Sequence, residues 1–146
     1  MKAVIQRVSR ASVTIENTTA AEIGCGLVVL LGVADGDTPE DAAFFAKKIA
    51  LMRIFRDHEN KMNLSVQDVG GSIIAVSNFT LCADASHGNR PSFIAAARPE
   101  IAEALYERFV HQLRGNGVKN VQTGVFGADM MVDLENNGPV TVILES

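Results

Sequence analysis

The run Leu27-Val28-Val29-Leu30-Leu31-Gly32-Val33 constrains this chain more than any other feature. It is strand-sized, far below the roughly 20 apolar residues that span a bilayer, and no longer apolar stretch occurs in the chain. With no polar alternation, it reads as a strand buried on both faces. Structure must therefore cover it from two sides. At 146 residues the chain fits a single domain spanning 1–146, large enough for a sizeable core.

Two segments have the periodicity of covering helices. Thr38-Pro39-Glu40-Asp41 is a helix start: Thr38 can cap free amides, Pro39 suits the first helical position, and the acids favour the positive end of the dipole. Ala42, Phe45, Ile49 and Met52 then form one amphipathic stripe. A second helix begins near Pro99, with Ile101, Leu105, Phe109 and Leu113 recurring every four residues and Gly115-Asn116-Gly117 ending it.

The remaining order is strand-like. Met1 to Val8 alternates with period two, and Ala11 to Glu16 continues as a second strand; Ile23-Gly24-Cys25-Gly26 is a bend or bulge. Arg56 to Gly70 is a polar loop, Ser72 to Ser77 a strand, and Ala83 to Ser92 an exposed loop. Three short strands follow, Lys119 to Thr123, Ala128 to Leu134 and Val140 to Leu144, the last two joined by Glu135-Asn136-Asn137-Gly138-Pro139. Seven or eight clustered strands with two helices predict an α+β fold with antiparallel or mixed sheets, not a doubly wound Rossmann sheet.

Composition excludes little. The net charge of −4 speaks against a nucleic-acid partner at first sight, but the basic residues concentrate in the first part of the chain. Lys47, Lys48, Arg53, Arg56 and Lys61 make either a local basic face or an ordinary solvated one. Cys25 and Cys82 lie far apart without a CxxC pair, as expected of free thiols in the cytoplasm. Arg7 and Arg10 fall where a signal peptide needs its apolar stretch, so no export is expected.

The familiar chemistries find no purchase. His58, His87 and His111 share no ligand spacing, so no metal is expected, and no cofactor motif occurs. There is no GxSxG elbow or P-loop. Cys82 reads as a buried thiol before it reads as a nucleophile, and His87 as an exposed loop residue before a general base.

Two segments remain. Ser77-Asn78-Phe79-Thr80-Leu81 places small hydroxyls at a strand end. It either buries Phe79 and Leu81 or leaves the amides of Phe79 and Thr80 free to bind a carbonyl oxygen. Asn136-Asn137-Gly138-Pro139-Val140-Thr141 is a hairpin-like turn with proline at the mouth of a strand. It is either an ordinary turn with a trans proline or a cis Gly-Pro that aims the carbonyls of Asn137 and Gly138 outward.

Together these segments resemble the SQFTL and NxGPVT motifs of the D-aminoacyl-tRNA deacylase family. The likeness covers the full chain: Ala3 to Val13, Gly32, Arg53-Ile54-Phe55, Lys61-Met62-Asn63, Gly70-Gly71, Arg90-Pro91-Ser92-Phe93, Ala104-Leu105-Tyr106, Gln122-Thr123-Gly124 and Ala128-Asp129-Met130 are also similar. One departure stands out: the family Gln is Asn78 here, one methylene shorter.

The resemblance implies a partly barrel-like homodimer that hydrolyses the ester linking a D-amino acid, or glycine, to the 3′-terminal adenosine of tRNA. Each site would form across the interface, Ser77 to Thr80 of one subunit meeting Gly138-Pro139 of the other. The amides of Phe79 and Thr80 would polarise the ester, the carbonyls of Asn137 and Gly138 would hold the α-ammonium, and Arg7 would brace the Gly-Pro turn. Thr80 or a water aided by the substrate's 2′-hydroxyl would attack; Asn78 and Ser77 complete the expected site. A non-catalytic tRNA-end binding module and an amidase or esterase unrelated to tRNA are the rival readings.

Overall fold

The double-faced burial of the Leu27 run is met by two separate cores. In the computed structural model, which describes residues 1–146, the run is strand β3 (Gly26–Gly32), following β1 (Lys2–Ile15) and β2 (Thr18–Ile23). On one face Leu27, Val29 and Leu31 join the larger core with Ala3, Ile5, Phe45, Ile49, Phe109 and Leu113. On the other, Val28 joins a smaller core of Val8, Ala11, Val13, Ile23, Ile74 and Val76. Helices α1 (Pro39–Ala50) and α2 (Pro99–Gly115) cover the first face. The sheet, curling on itself, encloses the second.

Pairing is mixed. β3 lies antiparallel to β1, from Lys2↔Gly32 to Val8↔Gly26, and parallel to β6 (Ser72–Ser77). Beyond β6 runs β7 (Val121–Thr123), again parallel. The sheet order is β2-β1-β3-β6-β7 with β8 (Met131–Glu145) on the other edge of β1. The Gln122 side chain nearly closes the ring, accepting from Glu22 N at 2.8 Å and donating to Glu22 O at 2.7 Å. A mixed, nearly closed barrel with two helices is the predicted α+β class.

Several elements differ from the sequence expectation. The two short opening strands are one 14-residue strand, β1. β2 was not foreseen: its TTAAEI sequence has neither aromatic nor strong alternation, and it forms because the Glu16-Asn17 turn, both residues at positive φ, folds it back on β1. The loop after α1 contains a small hairpin, β4 (Phe55–Arg56) with β5 (Met62–Leu64). In α2 the stripe shifts by a residue: Ala102, Leu105, Tyr106, Phe109, Val110 and Leu113 are buried while Ile101 is 50% exposed. A strict four-residue repeat drifts around a helix of 3.6 residues per turn, so its first member leaves the core. Helix α1 begins as expected, with a capping box between Thr38 and Asp41 and Pro39 leading.

The largest difference is at the C-terminus. The expected hairpin through Asn136 to Pro139 does not exist: Met131 to Glu145 is one strand that pairs with β1 along its whole length. Register runs from Lys2↔Glu145 to Gln6↔Thr141, then resumes at Val8↔Asn136. Asn137 to Val140 thus bulge out opposite Arg7 alone, four residues against one. A long partner strand can absorb a turn-like sequence as a bulge, which local turn propensity does not disclose.

Candidate active site

β6 delivers Ser77 to the end of the sheet, where Asn78 N donates to Leu31 O at 2.8 Å. The chain then winds into a 3-10 turn, Phe79–Cys82, bonded from Leu81 N to Asn78 O (3.3 Å) and capped from Ala83 N to Thr80 O (3.1 Å). Phe79 and Thr80, its first residues, precede any intrahelical acceptor, and no side chain caps them. Gly32 permits this arrangement: a Cβ there would meet Asn78 O at 2.9 Å and Leu81 Cβ at 3.0 Å. Strand end and amides are therefore held together by a close backbone approach that only glycine allows.

Beside this turn opens a cleft of about 740 Å³, lined mostly by apolar side chains and containing Ser77, Asn78, Phe79 and Thr80. The Phe79 ring is 58% exposed and meets Phe93 edge-on at 5.3 Å. Thr80 Oγ1 donates to Asn78 Oδ1. The shorter Asn78 amide thus turns inward on the motif, and Thr80 gives its proton to an amide oxygen, which is no base. On the wall, Tyr106 donates its hydroxyl to Ala75 O at 2.9 Å, and burial pushes its pKa to about 12. Tyr106 is consequently a neutral structural donor, not an acid.

Neither rival nucleophile arrangement gains support. Cys82 is buried, and burial raises its thiol pKa above the ordinary value, which disfavours the thiolate. His87 sits in the exposed loop and does not line the cleft. Asp129, not singled out from the sequence, is the one carboxylate on the cleft wall. Its only sequence signal was membership of the Ala128-Asp129-Met130 segment, beside Met130 and Phe126 of the same wall.

The second motif lies elsewhere on the chain. The Gly138-Pro139 peptide bond is cis, and Gly138 has φ +132°, open to glycine alone. A Cβ there would also meet Val140 Cγ2 at 2.8 Å. Asn136 Oδ1 accepts from Val140 N at 3.1 Å, tying the bulge across its neck. Arg7, only 5% exposed, occupies the slot that alternation with Ala3 and Ile5 assigns to the core. Its Nε donates to Asn137 O at 3.1 Å, a terminal nitrogen to Asn137 Oδ1 at 3.4 Å, and the other to Ile54 O at 2.6 Å.

Gly138 and Pro139 line a separate cleft of about 290 Å³ with Arg7, Arg56, Asn60, Met62 and Val140. No residue lines both clefts. Of the residues expected from sequence, Ser77 to Thr80 come together at one place, and Arg7 with Asn137 to Pro139 at another.

Fold and site define an α+β protein with a mostly apolar cleft, lined at one place by Ser77, Asn78, Phe79 and Thr80 where a strand end passes into an uncapped 3-10 turn. Residues 4–145 match the model of the D-Tyr-tRNA(Tyr) deacylase family. A D-aminoacyl-tRNA deacylase of Koribacter versatilis is 56% identical over 146 residues, covering 100% of this chain and 97% of its own. One of Flavobacterium johnsoniae is 53% identical, with the same coverage of 100% and 97%. Among solved structures, a c-Myc DNA unwinding element binding protein superposes with a TM-score of 0.94 at 42% identity, over 100% of this chain and 99% of its own. A probable eukaryotic D-amino acid tRNA deacylase superposes at 0.84 and 19% identity, over 98% and 97%, which supports the fold. The chain belongs to the D-aminoacyl-tRNA deacylase family, whose members are hydrolases. The family expected from the two motifs and their companions is the family found.

Proposed function

We propose that this chain hydrolyses, in the cytoplasm, the ester joining a D-amino acid to the 3′-terminal adenosine of tRNA, accepts glycine, and rejects L-amino acids. The observation that carries this reading is that Phe79 and Thr80, whose amides no side chain caps, line a mostly apolar cleft. Two donors there stabilise the oxyanion that develops when the ester carbonyl is attacked.

Chirality is selected by the Gly138-Pro139 bulge of a second copy. The two motifs line different clefts of one chain, so a site using both draws them from two subunits. The carbonyls of Asn137 and Gly138 would receive the α-ammonium; that of Asn137 also accepts from Arg7, and a carbonyl has two lone pairs. With ammonium and ester carbonyl both fixed, the enantiomers point their side chains in opposite directions. The L side chain meets backbone, whereas the D side chain and the hydrogen of glycine do not.

The nucleophile is water, oriented with help from the ribose 2′-hydroxyl. Thr80 has no base to accept its proton, since that proton is held by Asn78 Oδ1. A tRNA ending in 2′-deoxyadenosine should therefore not be turned over, while Thr80→Ala should retain turnover. Full activity on the 2′-deoxy substrate, or complete loss in Thr80→Ala with tRNA binding intact, would sink this mechanism.

A further inference from the structure

The cleft at Gly138-Pro139 is lined by two guanidiniums and no carboxylate. Arg7 forms its inner wall as a buried guanidinium whose three acceptors, Asn137 O, Asn137 Oδ1 and Ile54 O, are all neutral. Arg56, on β4, stands at the exposed rim and donates only to Asn60 Oδ1, at 2.7 Å. The ion pairs of the molecule join Met1 to Asp37, Lys2 to Glu145, Arg10 to Glu135 and Lys61 to Glu59. Neither Arg7 nor Arg56 is among them. A buried guanidinium is ordinarily matched by an anion, and this one faces a cleft whose rim adds a second.

That charge conflicts with the ammonium proposed to sit on the same bulge. Two guanidiniums repel an approaching ammonium unless an anion arrives with it. The terminal nucleotide of tRNA brings one, because its ribose carries the aminoacyl ester on one side and a 5′-phosphate on the other. The geometry points to Arg56, steadied by Asn60, as the group that binds the 5′-phosphate of the nucleotide bearing the ester. The planar guanidinium fork fits a phosphate in two-point contact. The remaining basic residues of this region are poorer candidates: Lys61 is paired with Glu59 at 2.9 Å, and Arg53 donates through Nε to Asn63 O at 2.9 Å. This inference rests on the proposed deacylase reading and adds to it the subsite that recognises the nucleotide as a phosphate ester.

The test compares two short substrates, D-aminoacyl adenosine and the same ester carrying a 5′-phosphate, with full D-aminoacyl-tRNA beside them. The unaltered protein should favour the phosphorylated ester about tenfold in kcat/KM, the size of one charge-assisted hydrogen bond. Arg56→Gln should erase that preference by raising KM for the phosphorylated ester, leave KM for the unphosphorylated ester no higher than before, since a charge that repels its ammonium is gone, and reduce the salt slope on tRNA by about 0.7–1. Arg56→Lys should restore part of it. An equal loss on both esters would assign Arg56 a structural role, and a preference that survives Arg56→Gln would place the phosphate elsewhere; either overturns the inference. If the unaltered protein cleaves no D-aminoacyl-tRNA, the deacylase reading fails instead.

Discussion

Single atoms decide the position of the amides of Phe79 and Thr80. A methyl group on Gly32 would stand only 2.9 Å from Asn78 O. Gly32→Ala must push the 3-10 turn away from β3, and an ångström of displacement costs about 100-fold in rate. Relieving the contact needs only a fraction of that distance, so we expect kcat on D-aminoacyl-tRNA to fall by about tenfold while circular dichroism stays native; unchanged kcat would remove the amides from the mechanism. At this scale the sequence was informative about residue types, while the partners it offered came from the family resemblance alone. Ser77 to Thr80 and Gly138-Pro139 were legible as motifs through their resemblance to the family, whereas locally each also reads as an ordinary strand end or turn. That Arg7 would be buried was not: a charged residue in a core slot is visible only once the carbonyls of Ile54 and Asn137 are seen to receive it. Asp129 was likewise hidden, since one carboxylate in a loop carries no pattern.

At the scale of elements, what was local was legible and what was long-range was not. Helix α1 declared its start through Thr38, Pro39 and Asp41, which interact within one turn. β3 declared its double burial through an unbroken apolar run. By contrast, the continuity of β8 depends on β1, more than a hundred residues earlier in the chain, holding both halves of it in register around a four-residue bulge. Closure of the barrel has the same character: it rests on the Gln122 side chain bonding the β2 backbone in both directions. Gln122→Ala removes both bonds and leaves Glu22 N and Glu22 O to water. A loss of about 1–3 kcal/mol is expected from the urea midpoint; no change would mean that the barrel holds without this tie.

Across the whole molecule, five carboxylates tie the folded state to pH in the same sense. Asp57 is held below the ordinary carboxylate range by the Lys61 amide, Asp68 by the Ser65 amide and Asp84 by the Ser86 hydroxyl. Asp41 is lowered by the Thr38 hydroxyl, which donates to its carboxylate, and Glu135 by Arg10. Each of these folded values lies below its unfolded one. The stability they contribute is therefore complete above the unfolded range, about 3.9 to 4.3, and is lost as pH falls through the lowered values. Urea midpoints should stay level from neutral pH to the top of that range and decline below it. A midpoint that rises on acidification would contradict these assignments.

The proposed function has two backbone motifs, drawn from two copies of the chain, select handedness without any catalytic side chain. It is tested most directly by time courses of amino-acid release from D-aminoacyl-, L-aminoacyl- and glycyl-tRNA, with a free D-amino-acid ester alongside. Release is expected from the D and glycyl substrates, and none above the uncatalysed rate from the L substrate or the free ester. Cleavage of L-aminoacyl-tRNA at the rate of the D form would contradict it.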